Sequence, residues 1–399
     1  MHYQHPSYFA KEDFRHNNKI FGIHQKDRLH GMLLLGKSGS GKTNLMKVLL
    51  YQDIICGRGA CLMDVNGDFI REIIDLIPEH RKQDIVYLDA SNPKLTLGYN
   101  PLKKVSYAKR ALIASSILET FQKLWGGQSW GIKLEYILRN SLLLLLDQEQ
   151  ATLDDIPKVL LDNQFRDSCL VNSKNPHVIR FFKVEYPKYS KTDILPVLNK
   201  VGSFLSIPML RKILVNNTNQ LSLSQLMNEK KIFLVNLSKG GLLGSDGAHL
   251  LGSLLITAMA SAGFNRVHLP PQNRHPFIIY LDEFQNFTTG SIAGAISELR
   301  KFGISFVLAN QYLFQLNQDI KNAVLGNIGT LITFRLGQQD AKYFATEFYP
   351  TFQTSDFTSL KHYHIYLRLL ISGKISPAFS AKTITIQELI NHKNYLFSS

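Results

Sequence analysis

At 399 residues the chain is long enough for one large core or for a core with a second domain, and 45% apolar with 19% charged residues excludes extended disorder. Lysine and arginine outnumber acidic residues 45 to 31, giving a net charge of +14 that points to a polyanionic partner and says nothing about fold. The three cysteines, Cys56, Cys61 and Cys169, have neither zinc-finger nor redox spacing and the thirteen histidines do not cluster, so a disulfide or zinc framework is excluded and a reduced compartment is expected.

The amino end, with Tyr3, Gln4, His5 and Pro6 ahead of charged residues, lacks the apolar segment of a signal peptide, so export is not expected. The first strand pattern, 31–35, runs into a glycine-rich stretch and then a helical period through Leu45, Val48 and Leu49. Strand 60–64 ends in Asp64-Val65-Asn66-Gly67-Asp68, a turn signal, and a third strand, 85–88, precedes Asp89. Strands alternating with helices at this spacing predict an α/β fold with a mostly parallel sheet covered on both faces.

From 106 to 220 the pattern is helical, with periods over 108–125, 133–146 and 194–205, and we read this stretch as a mostly α-helical inserted domain. Trp125 and Trp130 beside the glycines of that stretch are assigned to packing. Strand signals return at 232–236, 277–281, 305–309 and 330–335, separated by helical segments at 249–262 and 292–302. A last pair, 363–370 and 377–381, predicts a hairpin about Ser372 and Gly373. The division expected is an N-terminal segment 1–30, a first part of the α/β core 31–105, the insertion 106–220 and a second part of the core 221–399. The apolar run 250–264, broken by Gly252, Ser253 and Thr257, is short for a membrane span and reads as a buried helix, so no transmembrane anchor is expected.

Gly36-Lys37-Ser38-Gly39-Ser40-Gly41-Lys42-Thr43 fits the phosphate-loop pattern (Walker A), and it lies between a predicted strand and helix, the context the pattern requires. Its glycines let successive backbone N–H groups turn toward phosphate oxygens at the positive end of the helix. Lys42 is placed to reach the β and γ phosphates of ATP, and the Thr43 hydroxyl to bind Mg2+. Further on, an apolar strand runs into Asp282-Glu283 (Walker B), at the strand edge where open α/β sheets bind ligands. Asp282 is expected to hold the magnesium shell, and Glu283 to orient and deprotonate an attacking water. Strand 305–309 ends in Asn310-Gln311, of which Gln311 is preferred as the amide that senses the γ phosphate or positions the water. A cation for the transferring phosphoryl group is sought at Arg300, with Arg335 as runner-up. His24, Asp27 and Arg28 are candidates for the base or ribose.

Together these pieces resemble the FtsK/HerA superfamily of ring ATPases, and within it the coupling-protein ATPases of conjugative type IV secretion. The residues that carry the resemblance are His30 through Thr43, the Asp64 to Asp68 turn, Asn100-Pro101-Leu102, Leu134 through Asn140, Val235 through Gly240, Leu281 through Phe287, and Leu299 through Gln311. Many relatives have proline and histidine after the second-strand aspartate, where Val65 and Asn66 stand here. They also often have an N-terminal barrel or membrane-anchoring domain, whereas here the core begins at Gly31. The resemblance implies a RecA-like core with a helical insertion, hydrolysis by Asp282, Glu283, Gln311 and Arg300, and a homohexamer with DNA or a translocating strand in its pore. The function expected is an ATP-driven DNA translocase of conjugation or type IV secretion, with secretion or relaxase partners. Alternatives are a motor for protein secretion or pilus assembly, or a slow nucleotide-dependent scaffold. The location expected is cytoplasmic, or peripheral at the inner face of the membrane through partners. Lys239-Gly240-Gly241 and Lys321-Asn322 are the candidate pore loops.

Overall fold

The computed structural model describes residues 5–13, 18–126 and 130–391. Tyr3, Gln4 and Gly127 lie outside the described residues. The chain forms two compact units, one of Met1–Asp89, Leu223–Asn236 and Met259–Ser399, the other of Ala90–Ser222 and Leu237–Ala258.

The strands in chain order are β1 (Ser7–Glu12), β2 (Ile20–Ile23), β3 (Met32–Leu35), β4 (Gly59–Asp64), β5 (Ile85–Asp89), β6 (Ile232–Asn236), β7 (Phe277–Leu281), β8 (Ile304–Asn310), β9 (Thr330–Thr333), β10 (His364–Arg368), β11 (Leu370–Ile371), β12 (Lys374–Ile375) and β13 (Phe379–Thr383). All but β11 and β12 belong to one sheet of the first unit, in the order β2-β1-β13-β10-β9-β3-β8-β7-β4-β6-β5. From β9 to β5 every neighbouring pair is parallel, while β10, β13, β1 and β2 add on antiparallel. Every residue of β3, β4, β6, β7 and β8 is buried, which is why these strands read as continuous apolar runs rather than alternating ones.

One feature of this sheet differs from the expectation. The described part of the N-terminal segment does not stand apart from the core: β1 pairs with β13, Ala10 opposite Thr383, and carries β2 as an edge strand. The expected hairpin about Ser372 and Gly373 is present: β10 pairs antiparallel with β13, Ile365 opposite Ala381, and the short β11 and β12 close it at the turn.

Helix Lys42–Ile55 covers one face of the sheet, laying Leu45, Met46, Leu49 and Leu50 in one cluster with Leu34, Leu62, Tyr280, Val307 and Ala309. Its far end carries Asp53, fully buried, which accepts from Arg28 at 2.5 and 2.8 Å, from Arg58 at 3.0 Å and from the Tyr280 hydroxyl at 2.5 Å. Ser7 of β1 joins the group by accepting from Arg28 at 2.9 Å. This buried cluster ties β1, the helix after the glycine loop and β7 together at the end of the sheet opposite that loop.

The second unit is helical through Tyr107–Trp125, Ile132–Leu145, Asp155–Leu161, Asn163–Asn172, Lys191–Leu205 and Pro208–Leu214. It extends beyond the 106–220 span of helical periodicity. Residues 90–105 carry too little regular structure to show a period, yet Gly98 bridges to Gln220, and Asn100 donates to Ala151 O at 2.7 Å and Asn217 Oδ1 at 2.8 Å. Trp125 stacks on Phe204 at 5.7 Å and so serves packing, and the Trp130 indole donates to Glu135 at 3.0 Å. Helix Gly244–Phe264 starts earlier than the apolar run suggests because its first turns are polar. With the turn that follows, Gly244–His268 is long and apolar enough to cross a membrane, and 78% of its apolar window is buried inside the protein, as in a core helix.

Candidate nucleotide site

The carboxyl ends of the parallel strands share one edge, and the sheet order decides what meets there. β3 delivers the glycine loop, β7 delivers Asp282, and β8 lies between them and delivers Asn310 and Gln311. The loop is held from both sides: Gly36 N donates to Asn310 O at 3.2 Å, and Lys37 N to Arg335 O at 2.9 Å. It rests on Phe334, and a Cβ at Gly36 would lie 2.6 Å from Phe334 Cβ and 2.8 Å from Ser40 Oγ. Gly41, at φ 122°, occupies backbone space that side-chain-bearing residues rarely enter, and it turns the chain into the helix.

Lys42 is 6% exposed and donates to Gly36 O at 2.6 Å and Lys37 O at 3.2 Å. Burial holds its pKa below the usual lysine range, opposed by the nearby Asp282 and Glu283 charges, which places all three groups in one field. Asp282 is 7% exposed, and burial first, then Glu283 and Asp64, push its carboxyl up to about 6 against the pull of Lys42. Asp64 is a member of this field that sequence reading left without a role. It follows Met63 as Asp282 follows Leu281, and Met63 and Leu281 are partners in the β4–β7 ladder. Its oxygens accept from Asn66 N at 2.8 Å and Ile70 N at 3.2 Å, so the turn orders its own carboxylate.

Glu283 stands in left-handed backbone at φ 54°, which swings it off the strand line. Gln311 Nε2 donates to its Oε1 at 2.8 Å and Gln285 Nε2 to its Oε2 at 2.6 Å, so both carboxylate oxygens are fixed by amides. Gln285 is a second residue that sequence reading missed, because its role depends on the tight turn after Asp282. Asn310, the amide not preferred, is fully buried with neither side-chain polar atom hydrogen-bonded, and Ser40 Oγ is likewise buried and unpaired. Thr43 lies half-buried in the first turn of the helix.

Other candidates sit elsewhere. Arg300 is exposed in the turn Leu299–Phe302 that leads into β8, at the opposite end of the strands, with Nη1 donating to the His30 ring at 2.6 Å to Nδ1. Arg335, by contrast, adjoins the loop through its carbonyl. His24, Asp27 and Arg28 precede β3 and therefore stand at that same far end, where Arg28 is locked to Asp53 and Asp27 accepts from Ser372 N at 2.8 Å and Gly373 N at 2.9 Å. A four-residue strand separates them from the loop, roughly 13 Å at the usual rise per residue, so they do not reach a base bound there. Lys321 lies over the rings of Phe314 at 4.3 Å and Tyr343 at 4.8 Å. Lys239 and Gly240 belong to the second unit.

These residues fit a magnesium-bound triphosphate. Asp282 is a buried carboxylate in an acidic field, and Thr43 is the one hydroxyl in the first helical turn beside Lys42. Among the described residues no group of three or more His, Cys, Asp or Glu side chains converges to hold a metal on its own. A threonine hydroxyl and a buried carboxylate at one strand edge suit a small cation that keeps phosphate oxygens and water in its shell.

Comparison with solved structures finds the same fold. The plasmid coupling protein TrwB bound to the non-hydrolysable ATP analogue ADPNP matches with TM-score 0.65 at 13% identity, covering 91% of this chain and 87% of that one. TrwB with ADP and Mg2+ matches with TM-score 0.64 at 13% identity over 91% and 87%. VirB4 of Thermoanaerobacter pseudethanolicus matches with TM-score 0.61 at 13% identity over 97% and 98%. A comparison with curated protein sequences gives no match. The model of the type IV secretion-system coupling protein DNA-binding domain matches residues 19–349, most of the chain, and the chain belongs to that family.

Proposed function

We propose that the chain is an ATP-hydrolysing ring motor that moves DNA in conjugative transfer or type IV secretion. The observation that carries this reading is the meeting of Lys42, Asp282, Glu283 and Gln311 at one strand edge, across β3, β8 and β7. In this reading the loop N–H groups and Lys42 hold the phosphates, and Thr43 and Asp282 hold magnesium. The bound cation would neutralise charge on the phosphate oxygens. Glu283 takes the proton of the attacking water, and its two amide partners keep the carboxylate aimed. Gln311, bonded to Glu283 and next in chain to the loop-bearing Asn310, links the general base to the γ-phosphate position.

We read Arg300 as serving a neighbouring subunit. It is exposed at the end of the sheet remote from its own loop, so any action on a phosphoryl group is in trans, and a homohexamer would supply that neighbour. The net charge of +14 favours a polyanion, with contacts to phosphates that carry no sequence preference. We place the motor in the cytoplasm, or at the inner face of the membrane through secretion or relaxase partners.

The test is ATP turnover with and without single- and double-stranded DNA across a salt series. Stimulation that falls steeply with salt supports the motor on DNA. Turnover indifferent to both forms of DNA at low salt turns the reading toward a motor for protein secretion or pilus assembly.

A further inference from the structure

The mechanism above leaves one exposed aromatic beside the glycine loop without a task. Tyr363, immediately before β10, has φ 64°, a left-handed backbone uncommon for a residue with an aromatic side chain, and the residue remains 43% exposed. The surrounding structure enforces that conformation. Tyr363 N donates to Ser40 O at 3.0 Å, and its carbonyl accepts from Thr383 N at 2.8 Å and Thr383 Oγ1 at 3.2 Å. Next to it His362 Nδ1 lies 2.9 Å from Gly39 O. The ring leans on the loop itself, for a Cβ at Gly41 would come 3.0 Å from Tyr363 Cδ1.

The sheet order gives a bound nucleotide a direction. From the loop on β3, the acidic pair lies on the side of β8 and β7, so the γ phosphate points that way. The α phosphate and the nucleoside therefore leave on the other side, toward β9, β10 and β13. β10 runs antiparallel to β9, with Arg368 opposite Leu331 and Tyr366 opposite Thr333, so its beginning returns to the phosphate edge. β13, antiparallel to β10, ends at that edge, and Asn44 Nδ2 binds Ile384 O there at 2.9 Å. Tyr363 stands at that exit, partly exposed, an aromatic ring beside a phosphate cradle.

We propose that Tyr363 stacks on the nucleobase and gives the site a preference for purine nucleotides, with His362 joining the same strap to the loop carbonyl of Gly39. A purine offers the larger ring face to the stack and gains more from it. The proposal rests on the glycine loop being a nucleotide site.

The test compares equilibrium binding of ATP, GTP, CTP and inorganic tripolyphosphate, each with magnesium, to the full chain and to two variants. Tyr363→Gly suits the left-handed backbone and keeps the strap's main-chain bonds, and Tyr363→Phe keeps the ring. Tyr363→Gly should weaken ATP and GTP by about tenfold, the scale of one base–aromatic stack, and leave tripolyphosphate unchanged. The wild-type preference for ATP over CTP should shrink in Tyr363→Gly and persist in Tyr363→Phe. Equal weakening of ATP and tripolyphosphate by Tyr363→Gly overturns the stacking, since the residue then only supports the loop. Unchanged ATP affinity overturns it as well. Wild-type protein that binds tripolyphosphate as well as ATP overturns the stack alone, whereas protein that binds neither overturns the nucleotide site and the stack with it.

Discussion

Replacing Asp53 by asparagine removes the one negative charge from a cluster that contains two buried guanidinium groups. Asp53 and Arg58 are 0% exposed and Arg28 is 1% exposed, so water cannot take the place of the lost carboxylate. The carboxylate now accepts at 2.5 and 2.8 Å from Arg28, 3.0 Å from Arg58 and 2.5 Å from Tyr280, and asparagine offers a single acceptor oxygen and a donor facing donors. Breaking a buried pair in this way costs about 3–5 kcal/mol, because a charge is left uncompensated in the interior. In a domain of this size that corresponds to a melting point lower by about 6–20 °C. The pH dependence has a definite sign. Burial pushes the Asp53 carboxyl up, but Arg28 and Arg58 outweigh it and hold its pKa below the ordinary value. Its stabilisation is therefore complete above the unfolded pKa, about 3.9, and is lost as pH falls through the lower folded value. Calorimetric melting of wild type and Asp53→Asn from neutral pH downward checks both statements. Equal melting points at neutral pH, or a gap that widens as the solution is made acidic, refutes the reasoning.

Three further outcomes follow from the site. Glu283→Gln should keep nucleotide binding while single-turnover phosphate release falls by about 10²–10⁴-fold, since the general base is gone and the turn is kept; loss of binding in parallel would show that Glu283 acts on the loop. Gly36→Ala drives a Cβ to 2.6 Å from Phe334 and 2.8 Å from Ser40 Oγ, so the loop must open at about 1–3 kcal/mol and calorimetric ATP affinity should fall. Arg300→Ala, at an exposed position, should leave the melting point and ATP affinity unchanged while turnover drops by about 10³-fold or more, and unchanged turnover would remove Arg300 from hydrolysis.

The sequence disclosed the parts of the site whose chemistry is local. The glycine loop is a contiguous stretch whose backbone geometry is written in its glycines, and Asp282-Glu283 ends a five-residue apolar run that is buried throughout. The parallel strands were legible for the same reason, since burial on both faces leaves them mostly apolar, with polar residues chiefly at their ends. What escaped was decided by strand order. Asp64 enters the acidic field because β4 pairs with β7, and no spacing in the chain announces that pairing. β1 and β2 are short and of mixed polarity, and their membership in the sheet depends on β13 returning from the far end of the chain. Tyr363 has the same origin, with a left-handed backbone held by Ser40 and Thr383. His24, Asp27 and Arg28 are close to the loop in sequence, yet β3 separates them from it and they stand at the opposite end of that strand.

The most direct measurement is a structure of the chain with a non-hydrolysable ATP analogue, magnesium and a DNA duplex, determined by cryo-microscopy. The account predicts the triphosphate in the loop of Gly36 to Thr43, magnesium at the Thr43 hydroxyl with Asp282 in its shell, and Glu283 facing the γ phosphate within a closed ring around the duplex. A nucleotide held away from Lys42, or one whose γ phosphate points toward β10 instead of Asp282, would contradict it.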